Sequence, residues 1–416
     1  MVNILSAYVS LTHFFRILGL VGRAGTIFIL ASLIAPDDMA VFGLVSSYAA
    51  VFVILNGLDV TRSFQSQIKR KESYSQLAPI IGTVFNFLVI VSLLFSIFSF
   101  LLRELFPFEL VVLPLFILLV VFEHFAQEAG RILIVMNFHY QNSIGILIRS
   151  FLPMFVFCLF FIFGAKFNVV FAIIVMVSCA CASTVYTWVI LVKNFGFSYS
   201  FDGRQIFLIM SSVKASIFFF AATLIGKVFF AIDKTLIENW FGPDYLASYI
   251  LVLGVSMVVV PLVEIFVGSY ALPKFYEVSR ARSSELRRAF RYFFLKAAAF
   301  STVYITLAIT ISNYLLFLVF PDYHELKLLE IIFISLVPYV FSLNIIPTYC
   351  LASGDKSFLT FMSSVPSFIA MLFYITFSGF GFKSFLAFFL LCFVVVFLIR
   401  LYFATRHAEL LGVGYD

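Results

Sequence analysis

The chain has 416 residues, of which 63% are hydrophobic and only 12% charged, with Lys and Arg outnumbering Asp and Glu by 27 to 21. At a mean hydropathy of +1.11 it has too little polar surface to cover a soluble domain of its size. A water-soluble fold is excluded, no nucleic-acid partner is expected, and the class implied is an all-α polytopic membrane protein.

Apolar windows of about 20 residues, the length a helix needs to cross about 30 Å of hydrocarbon, fall at twelve places. They centre near Gly25, Ser47, Val89, Phe116, Val156, Val175, Leu224, Ser256, Ile305, Phe333, Met371 and Val394. The N-terminus, MVNILSAYVSLTHFF, has neither a basic leader nor a small-residue cleavage site, so no removable signal peptide is expected. All five cysteines lie in apolar runs, and Cys179-x-Cys181 has neither metal-finger nor redox spacing. They read as packing residues, with no metal or cofactor implied.

The first segment carries Arg16 and Arg23, seven residues apart and on one helical face with Thr12, Gly19 and Thr26. This stripe predicts a face turned to a cavity, with Arg23 the deeper cation. Arg16 fits that role or snorkels to the cytoplasmic interface. In the fourth segment Glu123, Gln127 and Arg131 form one stripe and His124 and Glu128 the next, an arrangement that an internal ion-pair ladder explains as well as function does. Arg149, about two turns into the fifth segment, either snorkels or meets the cavity.

The seventh segment, GKVFFAIDKTLIENWFGPDYLASY from Gly226 to Tyr249, holds Lys227, Asp233, Lys234 and Glu238, with Lys214 further upstream. Hydropathy alone would end this helix at Ala231 and leave Asp233 and Lys234 in an outer loop. An internal repeat argues otherwise. APDDMAVFGLVSSYAAVFVIL from Ala35 aligns without gaps on GPDYLASYILVLGVSMVVVPL from Gly242, at an offset of 207 residues, half the chain. Pro243 then corresponds to Pro36, and Asp233 and Lys234 fall inside the seventh helix, one to two turns from its outer end. Lys227, Lys234 and Glu238 share a face, where Lys234 and Glu238 are spaced to pair. Asp233 points about 100° away; it is either protonated or paired with a cation on another helix, with Arg23 a candidate, and such a pair serves either gating or coupling or as a static bridge that helps the helix insert and fold.

Glu264, in the eighth segment, serves proton coupling or a salt bridge to the basic connection that follows; the bridge is the preferred reading. That connection contains SSELRRAFRYFFLKAAAF, where Arg287, Arg288 and Arg291 form a cationic face suited to an interfacial helix on anionic lipid or to a simple cytoplasmic anchor. Lys327 and Glu330 open the tenth segment at the interface. Pro261, Pro338 and Pro347 are expected to kink or break their helices.

Basic residues set the orientation. Alternate connections and the C-terminal tail hold seventeen Lys and Arg, from Arg62 and Lys69 to Arg400 and Arg406, against Arg103, Lys166 and Lys383 on the opposite side. Both termini are therefore expected in the cytoplasm. Two lobes of six helices, residues 1–200 and 201–416, follow from the repeat. An even number of crossings per lobe makes the repeat parallel, a design that places substrate between the lobes near the midplane.

The run AIDKTLIENWFGPDYLASYILVLGVSMVVV resembles the seventh and eighth helices of bacterial polysaccharide flippases, the Wzx-type members of the MOP superfamily. ILASLIAPDDMAVFGLVSSYAAVFVILNGLD resembles the corresponding start of their first half, and FAQEAGRILIVMNFHYQNSIGILIRS and YCLASGDKSF fit the loops after the fourth and tenth helices. One departure is Ala247-Ser248-Tyr249, where many relatives carry Gly before the aromatic. The resemblance implies a MATE-like fold with a central cavity. It also implies a flippase that carries a polyprenyl-pyrophosphate-linked oligosaccharide to the outer leaflet of the bacterial inner membrane, for O-antigen, capsule or exopolysaccharide. Membrane lipids and assembly proteins such as a polymerase or chain-length regulator are its implied partners. A diphosphate needs a polar, preferably cationic path through hydrocarbon, and Arg16, Arg23, Arg149, Lys227 and Lys234 supply candidates. The drive, whether a proton, another ion or the membrane potential, stays open. A cation-coupled drug exporter of the same superfamily is the first rival, but the deep charges of the first and seventh segments are basic. An enzyme, a polysaccharide polymerase or ligase, is the second, but every outer loop is short and no Ser-His-Asp set or metal cluster is present.

Overall fold

The computed structural model describes residues 2–57, 78–197, 203–278, 283–320, 323, 326–353, 357–376 and 381–410, and no strand occurs among them. Two compact units divide the chain, Met1–Ala231 and Ile232–Asp416. The first contains α1 (Val2–Leu33), α2 (Pro36–Gly57), α3 (Ala78–Leu101), α4 (Val112–Val135), α5 (His139–Ile162), α6 (Val169–Phe195) and most of α7 (Gly203–Phe241). The division lies within α7, whereas the repeat sets its lobe boundary between residues 200 and 201.

The second unit holds the end of α7, then α8 (Pro243–Met257), α9 (Val259–Val263), a π-helical turn (Glu264–Gly268) and α10 (Ser269–Val278). It continues with α11 (Ser283–Tyr314), a second π-helical turn (Leu315–Val319), α12 (Leu328–Leu343), α13 (Ile345–Ser353), α14 (Ser357–Thr376) and α15 (Phe382–Leu410). Among the described residues ten stretches are long and apolar enough to cross a membrane, counting Pro243–Gly268 and Leu328–Ser353 as one each. The seventh and eleventh predicted segments fall on α7 and α14.

Two of the three prolines act as expected. A proline ring clashes with the carbonyl four residues earlier and offers no N–H. The break between α8 and α9 comes at Val258, three residues before Pro261, and that between α12 and α13 at Asn344, three before Pro347. Pro338 stays inside α12.

In the first unit α1 packs chiefly on α5. The seam is made by glycines: Gly19 lies against Ile146, Gly22 against the backbone of Ser150 and Phe151, and Gly25 against Met154. Small residues let two backbones approach where hydrocarbon offers no hydrophobic drive for association. Thr26, also buried, turns its hydroxyl onto its own Gly22 carbonyl at 2.8 Å. Gly19 and Thr26 are therefore packing surface, and of the five stripe residues Thr12, Arg16, Gly19, Arg23 and Thr26 only Arg23 is exposed. Behind this seam α3, α4 and α6 share a core of Leu88, Phe125, Leu133 and Trp188. Interhelical hydrogen bonds run from Ser183 to the Gly145 carbonyl at 2.8 Å and from Thr184 to that of Phe122 at 2.7 Å.

In the second unit α9 to α11, α13 and α15 enclose a core including Val263, Phe275, Phe290, Ile346 and Ala404. Ser256 bonds Ser335 at 2.9 Å and Ser301 bonds Ser342 at 2.8 Å. On α11 Val303, Leu307 and Ile311 form an exposed apolar row, the outward face of a helix whose solvent is lipid.

The basic stretch at Arg287, Arg288 and Arg291 is not a separate interfacial helix. It forms the first turns of α11, because Leu286 and Phe290, four apart, are buried in the core shared with Phe275 and Val278 of α10. With 32 residues α11 is about 48 Å long, well beyond about 30 Å of hydrocarbon, so its basic start extends past the apolar layer. Arg400, counted above with the C-terminal tail, lies in the body of α15. Arg62, Lys69, Arg70, Lys71, Arg280, Arg282 and Lys356 lie outside the described residues.

Candidate functional site

In the first unit α1, α4 and α5 bring three charged side chains together. Arg149 of α5 donates to Glu123 of α4, Nη1 to Oε2 at 3.0 Å, with side chains 21% and 19% exposed. Gln127 donates to the same Oε2 at 3.4 Å. Arg23 of α1 lies within electrostatic reach of both Glu123 and Arg149, and it makes no hydrogen bond or ion pair of its own among the described residues. Arg149 thus holds the carboxylate, while Arg23 feels both charges without pairing to either, and the three groups sum to a positive charge. Arg149 does not stand alone; its ion pair fixes it across the α4–α5 contact. Arg16, half-buried on α1, lies near His139 at the start of α5.

Other parts of the fourth segment's ladder differ from expectation. Arg131 pairs with Glu128 at 2.8 Å, crossing from one stripe to the next. His124 is fully buried and bonds nothing through either ring nitrogen among the described residues. It packs instead at Gly57, where an added Cβ would come within 3.0 Å of its ring.

In the second unit Asp233, Lys234 and Tyr249 are joined by hydrogen bonds and an ion pair. α7 runs unbroken to Phe241, and Gly242, at φ +97°, makes the turn into α8 with Pro243 in its first turn. Asp233 is therefore eight residues inside the helix end, where the repeat puts it. Its partners are other than expected. One carboxylate oxygen accepts from the Tyr249 hydroxyl on α8. The other accepts from the Lys234 backbone N–H at 2.7 Å and Nζ at 3.4 Å. Asp233, Lys234 and Tyr249 are only 0%, 6% and 1% exposed. The flexible Lys stem folds back to span the 100° between neighbouring positions, and burial makes that worthwhile. Lys234 is thus engaged by Asp233 rather than Glu238, which is half-buried one turn on. Asp233 needs no cation from another lobe. Lys227, six residues before it on α7, is half-buried.

Glu264 opens the first π-helical turn and accepts from Tyr349 of α13 at 2.8 Å. No bridge joins it to a cation of the following basic stretch among the described residues. Gly268, one turn on, leaves room for the same tyrosine ring. Glu330 is a helix cap, its carboxylate accepting from the Lys327 backbone N–H at 2.8 Å.

Sequence reasoning missed Arg400. Its guanidinium donates to Ser363 and Thr348 hydroxyls at 3.1 Å each, to Ser364 at 2.9 Å and to the Thr360 carbonyl at 3.4 Å. No carboxylate pairs with it among the described residues. The Ser-Ser at 363 and 364, on a helix expected to neighbour the last one, was the available signal.

No protein-family model matches the sequence, and no curated protein matches it. Solved structures do. An inward-facing multidrug-resistance transporter of the MATE family, in the MOP superfamily, matches with a TM-score of 0.75 at 11% identity, covering 95% of each chain. The lipid II flippase MurJ in an inward closed conformation gives 0.68 at 12% identity, over 98% of this chain and 90% of that one. A MOP superfamily transporter from Pyrococcus furiosus, whose pocket is described as reversed in polarity, gives 0.53 at 11%, over 97% and 93%. At such identities the likeness carries the fold alone: an all-α, multi-pass membrane protein of the MATE/MOP type. These neighbours are transporters and flippases, not enzymes.

Proposed function

We propose that a chain with this fold and these charges is a flippase. It moves a polyprenyl-pyrophosphate-linked oligosaccharide from the cytoplasmic to the outer leaflet of the bacterial inner membrane by alternating access, with both termini cytoplasmic. The observation that supports the reading is Arg149 ion-paired to Glu123 with Arg23 within electrostatic reach of both, itself without an ion pair among the described residues. A surplus cation on an apolar bundle is costly unless an anion joins it, and a pyrophosphate supplies one. Arg149, already held by Glu123, orients the site; Arg23, exposed beside it, is the group free to engage the phosphates. Arg16 and Lys227 carry the same sign of charge on α1 and α7 of the first unit, whereas Lys234 is taken up by Asp233. Glu238 and Glu264 are the carboxylates left for gating or coupling.

The MOP fold is compatible with a drug exporter too, and MATE structures are among the neighbours. Pockets for organic cations favour acidic groups, and here two arginines outweigh one glutamate. The test is genetic and chemical together. Deleting the protein should make lipid-linked glycan accumulate on the cytoplasmic side while drug susceptibility stays unchanged. Restoring it as Arg23→Gln should leave surface glycan at least tenfold below wild type at equal protein level, with Arg23→Lys recovering part of it. Unchanged lipid-linked glycan in the deletion strain, with increased drug sensitivity, would favour the exporter.

A further inference from the structure

Arg400 is the feature that the proposed transport path leaves unused. We propose that the hydrogen-bonded cluster of Arg400 with Thr348, Ser363 and Ser364 is a second anion site, selective for a phosphate group.

Three observations converge on it. First, Arg131, Arg149, Lys234 and Lys274 each hold a carboxylate, whereas Arg400 meets, among the described residues, three hydroxyls and a carbonyl. Neutral acceptors satisfy its N–H groups but leave the full unit charge in place. Four of its five donors are used, and one N–H on Nη1 remains.

Second, the guanidinium reaches Thr360, the fourth residue of α14, and hydroxyls one turn further on. A helix begins with unbonded N–H groups and positive potential, so a cation belongs at the other end. Arg400 lies about one turn in from this end, where the helix itself offers a cation no compensation.

Third, the hydroxyls come from two helices, Thr348 from α13 and Ser363 and Ser364 from α14, and all three now give their protons to helix carbonyls: Asn344 at 2.7 Å, and Thr360 at 2.7 Å and 3.3 Å. Hydroxyl rotors can turn those protons toward phosphate oxygens without moving the backbone. Ser363 and Ser364 are buried while Arg400 is half-buried, so the cation is the member open to a ligand. Arg400 is 18 residues along α15 from Phe382, about 27 Å. In the orientation proposed above, the one point at which this inference rests on that reading, it lies at the inner edge of about 30 Å of hydrocarbon. That is the level of inner-leaflet phosphates.

Calorimetry on the full-length protein in phosphatidylcholine nanodiscs tests the site, first with inorganic pyrophosphate and then with nanodiscs carrying a tenth of phosphatidic acid. A saturable binding event is expected, at least tenfold weaker in Arg400→Gln and weakened in the Ser363→Ala/Ser364→Ala double variant, which keeps the charge. Direct titration with pyrophosphate identifies a water-borne phosphate as a competent ligand. Binding of pyrophosphate suppressed by phosphatidic acid identifies the lipid headgroup as the occupant. If Arg400→Gln does not fold, the double variant decides. Affinity within twofold of wild type in whichever variant is obtained, or no saturable binding in any arm, overturns the proposal. An event abolished by Arg23→Gln and untouched at Arg400 also overturns it, while leaving the flippase reading standing.

Discussion

Tyr249 closes the Asp233 carboxylate, and this could not be read from the sequence because the contact spans sixteen residues and the turn at Gly242. Residue spacing within one helix pointed to Glu238, but spacing cannot say which way a Lys stem folds once burial rewards the nearer carboxylate. The depth of Asp233 was legible, since Pro36 and Pro243 mark equivalent helix starts. Energetics follow from the geometry. Tyr249→Phe removes one hydrogen bond to a charged group, about 1.5–3 kcal/mol. Asp233→Asn takes the carboxylate from a buried ammonium, about 3–5 kcal/mol. Thermal unfolding in detergent should rank wild type above Tyr249→Phe and that above Asp233→Asn, with Asp233→Asn/Lys234→Gln recovering much of the loss. A double variant as unstable as Asp233→Asn would falsify the local ion pair. Arg23, Arg149 and Glu123 were legible as charges, but the Arg149–Glu123 pair was not, because pairing depends on how α4 and α5 rotate.

Helices were the most legible elements, since apolar length alone defines them in a membrane. Proline positions gave the breaks at Val258 and Asn344 through the carbonyl clash. Glycines misled, because a small-residue stripe looks the same whether it faces water or another helix. The α1–α5 seam gives a sharp test of which it is. A Cβ at Gly22 would meet the Ser150 carbonyl oxygen at 2.7 Å, backbone that cannot yield, whereas nothing lies within 4 Å of a Cβ at Gly226. Gly22→Ala should sharply reduce folded protein in fluorescence-detected size exclusion. Gly226→Ala should leave the yield unchanged or raise stability by up to about 1 kcal/mol through helix propensity. Equal yields of the two variants would remove the seam. The π-helical turns at Glu264 and Leu315 had no signature in composition, because an extra residue per turn is decided by packing.

For the whole molecule, the repeat and the class of fold were legible while the unit boundary was not set by the repeat alone: the cut lies inside a continuous helix of 39 residues. Orientation is testable with the native cysteines replaced. Single cysteines at Asp38 and Lys166 should react with a membrane-impermeant thiol reagent in intact cells, and one at Glu285, exposed in the first turn of α11, should not. Reaction at Glu285 together with protection at Lys166 would reverse the topology.

The seam between α1 and α5 also imposes a schedule. At about 5–20 residues per second of synthesis, the hundred residues from Arg23 to Glu123 take about 5–20 s to leave the ribosome, and Gly22 waits longer still for Phe151. Throughout that interval α1 resides in the membrane with its arginine uncompensated and its glycine face unmated. A nascent chain halted between α2 and α4 is therefore the form of this protein most dependent on an insertase or chaperone, and the form most open to degradation.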